Sequence, residues 1–247
     1  LLSFFLPFDL LAYYGDTSKF IITENLITLD APEEASSAWL SQKSEVANKA
    51  IWKSCITLSF PPTSSNYLRW YILADSVNVN SSSNAYYLSF GSTSRTISFY
   101  QKKNGKSTLI YQADEKLLDN PINVINVVVR RSESEGWQLE YVVNDSITNS
   151  VTFFNEELNY SLYAGWYCVY TKTRSKSFAF ANNYIEGEES SLPRMPKSKE
   201  ILINEILFDP ISDGVDFVEL LNVSDTVFDI SMCKLGNRKQ MYLLPYF

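Results

Sequence analysis

The sequence contains no histidine, and this absence excludes several kinds of catalytic centre. A Ser-His-Asp triad, a Cys-His pair and an HExxH zinc site all need an imidazole that exchanges a proton near neutral pH or ligates a metal. The three cysteines, Cys55, Cys168 and Cys233, lie far apart and form no CxxC motif. The sequence therefore predicts neither a cysteine-based zinc site nor a thioredoxin-type redox site.

Glycine and positive charge are also scarce. The eight glycines are scattered, and no two are close enough to form a loop that cradles phosphate. The 28 acidic and 21 basic residues give a net charge of -7, the opposite of the basic footprint that nucleic acid requires. Isolated acids such as Asp30 and Asp75 could help to hold Ca²⁺, but no spacing approaches an EF-hand loop. We therefore predict no cofactor, no metal site and no nucleic-acid partner.

Long apolar runs are missing as well, since no segment approaches the roughly 20 residues of a membrane span. Residues 1–14, LLSFFLPFDLLAYY, are apolar but short. They resemble the end of the hydrophobic region of a signal peptide, and the alternative is a first buried strand. On the first interpretation, the protein is secreted or displayed at the cell surface.

The chain is rich in strand-forming residues, with 45% hydrophobic and 15% aromatic content. In residues 52–60, Trp52, Ile56, Leu58 and Phe60 fall on one face, and this period of two is typical of a half-buried strand. Asn104-Gly105 is a strong hairpin signal, because both turn positions need positive φ. About a dozen such segments and no convincing helix predict an all-β antiparallel sandwich over residues 15–185.

The pattern changes after residue 185. Residues 186–200, EGEESSLPRMPKSKE, are polar and contain two prolines, which is typical of a linker. Residues 201–207 and 215–222 then read as two strands joined by a turn. Residues 201–247 are fewer than half of the roughly 100 that an immunoglobulin-like sandwich needs, so we predict only the start of a second domain.

Motifs in that second part resemble the lamin tail domain. They are Asn204-Glu205-Ile206, Asp216-Phe217-Val218-Glu219-Leu220 and the continuation through residues 222–225 and 228–230 to Leu235. The resemblance implies an immunoglobulin-like β-sandwich, common in secreted bacterial proteins, and no catalysis. Glu205 and Glu219 are then strand residues that face solvent or accept backbone N–H groups.

The first part resembles the concanavalin A-like jelly-roll modules that precede lamin tail domains in secreted bacterial surface proteins. The matching segments follow one another along the chain: residues 15–20, 29–32, 38–40, Trp52, 64–67, 165–167, 170–171 and 178–180. This resemblance implies a jelly roll and, in some relatives, binding of sugars by aromatic stacking. It favours a non-catalytic module that acts in adhesion or in weak binding of a polysaccharide, a cell-surface glycan or another surface protein.

Aromatic residues are the candidate ligand contacts, together with one asparagine. They are Tyr67, Trp70, Tyr71, Tyr86, Tyr87 and Asn84. The alternative for each aromatic residue is a place in the core between two sheets. Because successive side chains of a strand point to opposite faces, Trp70/Tyr71 and Tyr86/Tyr87 must each divide between core and surface.

The wider jelly-roll superfamily includes glucanases, so a glycoside hydrolase is the alternative function. Such an enzyme needs two carboxylates that flank the glycosidic bond. The E-x-D-x-x-E pattern is absent, and Asp216 and Glu219 are spaced for opposite faces of a strand. The pairs Glu133/Glu135 and Glu186/Glu188 have same-face spacing but occupy turn and linker sequence. We therefore predict no catalytic residues.

Overall fold

A computed structural model divides the chain into two compact units, Leu1–Ser190 and Ser191–Phe247. It describes residues 13–132, 136–155 and 158–190 of the first unit. In the second unit it describes residues 196, 198–207, 214–224, 228, 230, 233–237 and 239–244. Most of the predicted signal remnant, residues 1–12, and the pair Glu133/Glu135 therefore lie outside the described residues.

The described part of the first unit contains fourteen strands and three short 3-10 turns. The strands are β1 (Tyr13–Gly15), β2 (Phe20–Ile22), β3 (Leu26–Leu29), β4 (Ser36–Lys43), β5 (Val46–Leu58), β6 (Tyr67–Ala74), β7 (Ala85–Gly91), β8 (Thr96–Lys103), β9 (Lys106–Gln112), β10 (Asn123–Ser132), β11 (Gly136–Val143), β12 (Ile147–Phe153), β13 (Tyr163–Tyr170) and β14 (Phe178–Glu189).

These strands form two sheets of seven, and every pairing is antiparallel. The first sheet has the order β1-β4-β13-β6-β7-β8-β9, and the second has the order β12-β11-β10-β5-β14-β3-β2. Strands distant in sequence lie side by side, for example β13 between β4 and β6. This is the antiparallel jelly-roll sandwich predicted from the sequence.

The core lies between the two sheets and draws on both. Trp52, Ile56 and Leu58 of β5 are fully buried in it, as their two-residue period predicts. Trp52 stacks on Trp137 with ring centroids 5.8 Å apart. Phe180 of the second sheet stacks on Trp166 of the first with centroids 5.3 Å apart, so aromatic contacts join the two layers.

The hairpin between β8 and β9 confirms a local prediction. Asn104 and Gly105 form its turn, with φ angles of 50° and 80°. A residue with a Cβ is strained in this region of φ, and asparagine and glycine tolerate it best.

Two predicted boundaries of the first domain are wrong. Tyr13 and Tyr14, assigned to the signal remnant, belong to β1 and pair with Gln42 and Ser41 of β4. At the other end, β14 runs to Glu189, four residues into the predicted linker.

The polar end of β14 looked like a linker because it lies along β5 with its acidic side chains in solvent. Glu188 pairs with the ammonium group of Lys49 at 3.1 Å. Gly187 passes so close to Ala50 that an added Cβ would lie 2.5 Å from the Ala50 Cβ. Glycine is therefore required for strand pairing here, and does not mark a flexible segment.

The second unit contains two short antiparallel pairs in its described residues. Strand β15 (Ile201–Leu207) pairs with β16 (Phe217–Asn222), and β17 (Lys234–Gly236) pairs with β18 (Met241–Leu243). Most described side chains of β15 and β16 are exposed. The first pair matches the predicted strands, and the immunoglobulin-like sandwich stays a prediction.

Two further features concern membrane-spanning helices and the cysteines. None of the helices that the structure describes is long and apolar enough to cross a membrane. Cys55, Cys168 and Cys233 are free thiols. Burial raises the pKa of the Cys168 thiol well above its ordinary value, so this cysteine behaves as an inert core residue.

Candidate ligand-binding face of the first sheet

The adjacent aromatic pairs divide between the two faces of the first sheet, as strand alternation predicts. Trp70 and Tyr86 belong to the core between the sheets. Their neighbours Tyr71 and Tyr87 belong to a separate cluster on the opposite face. Trp70 and Tyr86 are 2% and 0% exposed, so their predicted role as ligand contacts is replaced by a role in packing.

Six side chains form what we call the outer-face cluster, on the side of the first sheet that faces away from the core. They are Tyr67, Arg69, Tyr71, Tyr87, Tyr100 and Tyr167. Tyr71 lies opposite Tyr87, and Tyr87 opposite Tyr100, so three rings line up across β6, β7 and β8. Their centroids are 4.9 and 5.1 Å apart.

Arg69 stands at the centre of this cluster. The Cζ atom of its guanidinium group lies 5.2 Å from the centre of the Tyr67 ring and 5.3 Å from that of the Tyr87 ring, within the range of cation–π contact. Its Nη1 donates a hydrogen bond to Asn80 Oδ1 at 3.0 Å. Its Nε is buried without a hydrogen-bond partner, so part of the donor capacity of Arg69 is unused.

The loop between β6 and β7 covers one part of the outer face. Asn80 Oδ1 accepts a hydrogen bond from the hydroxyl of Tyr71 at 3.2 Å as well as the one from Arg69. The backbone oxygen of Asn80 accepts one from Lys102 Nζ at 3.0 Å. Ser41 Oγ donates to the backbone oxygen of Val77 at 2.6 Å. The loop is therefore fastened to β4, β6 and β8.

Asn84, the predicted polar ligand contact, instead holds the base of this loop. Its backbone N–H and its Nδ2 both donate to Asp75 Oδ2, at 2.8 and 3.0 Å. Its Oδ1 accepts from the backbone N–H of Asn104 at 3.2 Å. Asp75 Oδ1 accepts a further bond from the N–H of Ser83 at 2.9 Å. Both the Nδ2 and the Oδ1 atoms of Asn84 thus form hydrogen bonds within the protein.

The accessible part of the cluster differs from the predicted site. Tyr71 and Tyr87 lie on the outer face but are 0% and 3% exposed, since neighbouring side chains and the loop cover them. Tyr67, Tyr100 and Tyr167 are half-buried and border them. Tyr67 is therefore the one predicted aromatic contact that remains partly open, and Tyr71 and Tyr87 form the base on which the accessible rings pack.

Burial changes the pKa values of several side chains on this face. It raises the pKa values of Tyr71, Tyr87 and Tyr67 above their ordinary value. These hydroxyls therefore keep their protons and remain donors at neutral pH. Burial, and next the positive charge of Arg69, lower the pKa of Lys102.

The acidic residues singled out in the sequence have partners in several parts of the fold. Among the described residues, no group of three or more potential metal ligands is found. Asp30 pairs with Lys176 at 2.9 Å, and Asp75 is committed to the loop. Glu186 and Glu188 are exposed on β14, in contact with Tyr184 and Lys49 respectively. In the second unit, Glu219 accepts a bond from Asn204 Nδ2 at 2.7 Å.

Comparison with solved structures identifies the class of fold. No protein-family model matches the chain, and no curated protein matches it. The exoplasmic/lumenal domain of VIP36, in a form with bound Ca²⁺ and Man3GlcNAc, superposes with a TM-score of 0.52 at 12% identity. That match covers 71% of this chain and 83% of the VIP36 chain.

Two further structures give the same result. The legume lectin-like domain from Entamoeba histolytica has a TM-score of 0.51 at 12% identity and covers 72% of this chain and 90% of its own. The carbohydrate recognition domain of Emp46p, in a metal-free form, has a TM-score of 0.50 at 10% identity, with coverage of 71% and 88%. The first unit is therefore similar in fold to lectin-like jelly rolls.

Proposed function

We propose that the first unit is a non-catalytic carbohydrate-binding module and that a glycan lies against the outer-face cluster. The observation that carries the proposal is that half-buried Tyr67, Tyr100 and Tyr167 share one face with Arg69. Tyr67 contacts the guanidinium group and Tyr167, and Tyr100 stacks on Tyr87 beside them. Such rings offer flat apolar surfaces to the C–H faces of a sugar, while hydroxyl and guanidinium groups hydrogen-bond its oxygens. None of these contacts requires a histidine.

The similar folds support this proposal. VIP36 was solved with Man3GlcNAc bound, and the Emp46p domain is described as a carbohydrate recognition domain. The more specific support comes from the tyrosines and Arg69 of this chain, because a shared fold alone does not define a ligand.

Binding without hydrolysis follows from the disposition of the acids. Cleavage of a glycosidic bond requires two carboxylates about 5–9.5 Å apart with separated pKa values. Asp75, the acid whose charge acts on Lys102, already accepts three hydrogen bonds from Ser83 and Asn84. Both of its carboxylate oxygens therefore already hold the loop.

The test is retention of the 247-residue protein on a panel of insoluble polysaccharides, with release of reducing sugar measured in parallel. We expect retention without release. Tyr67→Ala and Tyr100→Ala should each weaken retention about tenfold, the effect of losing roughly 1.4 kcal/mol of aromatic contact. Tyr184→Ala is the matched control, because Tyr184 is a half-buried tyrosine on β14 of the other sheet. Equal retention of all three variants would contradict the proposed face.

For the second unit we propose a fold related to the lamin tail domain. The β15–β16 pair and the hydrogen bond between Asn204 and Glu219 support this proposal, since they join the two motifs that resemble that family. An experimental structure of the 247-residue protein tests it. A second sheet packed on β15–β16 is expected, and a helical partner would contradict the assignment.

We also propose that the protein is secreted or displayed at the cell surface, in keeping with the apolar residues 1–14. Antibody detection in separated medium, surface and cell-interior fractions tests this. Recovery from the interior alone would contradict it.

A further inference from the structure

The charges of the two sheets are distributed unequally. The chain as a whole is acidic, with a net charge of -7. Even so, no strand of the first sheet contains an aspartate or a glutamate. Those strands carry five basic residues: Lys43, Arg69, Lys102, Lys103 and Lys106. The described strands of the second sheet carry four acidic and four basic residues. The absence of acids is thus specific to the first sheet.

Two of these cations lie at the outer-face cluster and lack an anionic partner. Arg69 and Lys102 form no ion pair with any residue that the structure describes, whereas Lys43 pairs with Glu45 at 2.9 Å. Both Arg69 and Lys102 are half-buried. Partial burial of an unpaired charge is unfavourable unless something else supplies the counter-charge.

Both cations converge on one residue, Asn80. Arg69 Nη1 and the Tyr71 hydroxyl donate to its side-chain oxygen, and Lys102 Nζ donates to its backbone oxygen. Three side chains therefore donate hydrogen bonds to the two uncharged oxygens of Asn80. A carboxylate or sulfate presents the same kind of oxygen acceptor with a full negative charge, and hydrogen bonds between charged groups are about twice as strong as neutral ones.

We propose that the ligand of this face is an anionic glycan, one that carries carboxylate or sulfate groups. The inference rests on the proposed function and specifies its ligand class. The anionic group binds Arg69 and Lys102, with Arg69 contributing the planar fork that matches two oxygens of one group. The sugar ring packs on the half-buried tyrosines. A neutral glycan supplies no counter-charge to Arg69, and it leaves Lys102 with only the nearby charge of Asp75, with which it forms no ion pair.

The test compares three soluble polymers with the full 247-residue chain by isothermal titration calorimetry. The polymers are polygalacturonate, a sulfated galactan and a neutral galactan. We expect both or one of the anionic polymers to bind at least tenfold more tightly than the neutral one. Carboxyl-reduced polygalacturonate and desulfated galactan then identify the anionic group, because only removal of the recognised group lowers affinity. Weaker binding at higher salt is also expected.

Substitutions locate the binding to this face. Lys102→Gln and Arg69→Gln should each weaken binding of the anionic polymer about tenfold, the effect of one lost charged hydrogen bond. Lys53→Gln is the matched control, because it removes the same charge from β5 of the other sheet. Thermal melts identify a variant that fails to fold. Lys102, on β8, donates to the backbone oxygen of Asn80 and not to its side chain. If Arg69→Gln fails to fold, Lys102→Gln therefore still tests the proposal.

The outcomes separate this inference from the proposed function. Equal affinity for neutral and anionic polymers would overturn the inference and leave a carbohydrate-binding module. No binding to any of the polysaccharides would overturn both. A single-stranded oligonucleotide, titrated as a further polyanion, should bind more weakly than the anionic glycan, and tighter binding of it would replace the inference with a different partner. Equal losses in Lys53→Gln and Lys102→Gln would show that total charge, and not this face, governs binding.

Discussion

The two faces of the first sheet are built from the same strands, yet they use their aromatic residues differently. On the inner face, Trp70 and Tyr86 fill space between the sheets. On the outer face, the neighbouring Tyr71 and Tyr87 surround an arginine and direct their hydroxyls to Asn80 and to Ser107 Oγ, at 3.2 and 3.0 Å. Adjacent residues of similar chemistry therefore serve stability on one side and a polar surface on the other.

This difference teaches that the environment, and not the residue type, decides what an aromatic side chain does. Trp166 on the inner face buries an indole Nε1 that has no hydrogen-bond partner. An inner-face ring contributes mainly through the area that it removes from water, although the Tyr86 hydroxyl also donates to Asn155. An outer-face ring contributes through its polar contacts as well, so substitutions on the two faces should have different signatures.

The largest effect is expected on the inner face. Trp70→Ala should lower the free energy of unfolding by about 3–5 kcal/mol, as large-to-small changes in a core do. Tyr100→Ala on the outer face is the comparison, and its loss should be clearly smaller because this ring is already partly in solvent. Urea denaturation monitored by circular dichroism measures both. Equal losses for the two variants would remove the distinction between the faces.

A smaller effect is expected at the loop that covers the outer face. Asn80→Ala removes the oxygen that accepts from Arg69 and Tyr71, and should cost about 1–3 kcal/mol because both donors then lack an acceptor. Asn78→Ala in the same loop is the matched control, since Asn78 Oδ1 is buried without a hydrogen bond. Its expected cost is below about 1 kcal/mol. Hydrogen exchange of the loop amides should rise in the first variant only.

The smallest effect is expected in the dependence of the free energy of unfolding on pH. Burial raises the pKa of Tyr71, so above about pH 10 the unfolded chain loses this proton first. The folded state then binds more protons, and stability falls as pH rises, by up to about 1.4 kcal/mol per pH unit. Below about pH 10 this contribution is constant.

Tyr71→Phe removes the titrating group and one hydrogen bond. The variant should be less stable than the wild type by about 1 kcal/mol at pH 7. The difference should narrow between pH 10 and 11, because only the wild type loses the contribution of Tyr71. Tyr87 and Tyr67 titrate in both proteins and cancel from the difference. A gap that stays constant above pH 10 would show that folding does not raise the pKa of Tyr71, and a gap that widens would show that folding lowers it.

Much of the fold could be predicted because its signals are local. The period of two at Trp52, Ile56 and Leu58, and the turn at Asn104-Gly105, depend on neighbours in the chain. The end of β14 could not be predicted in the same way. Its residues read as polar linker, and only their pairing with β5 reveals that they are a strand edge in solvent.

The candidate site was predicted less completely because it depends on register between strands. Tyr67 and Tyr71 were recognised from their own sequence, and so was the division of adjacent pairs between faces. Arg69 lies two residues from each of them in the same strand, so its side chain points to the same face. This spacing could have identified Arg69 from the sequence. Tyr100, Lys102 and Asn80 come from other segments, and only the pairing of β6 with β7 and of β7 with β8 places them beside Arg69.

The irregular pairing within β6 has a consequence for insertions and deletions. Between Tyr71 and Leu73 the register with β7 shifts by one residue. Consecutive residues Ile72 and Leu73 therefore both join the core, and Ala74 returns to the outer face. Removing Ile72 would therefore restore strict alternation and leave Tyr71 and Ala74 on the outer face. Inserting a residue between Trp70 and Tyr71 would instead turn the side chains on one side of the insertion over, so this strand should tolerate a deletion at the irregularity far better than an insertion beside it.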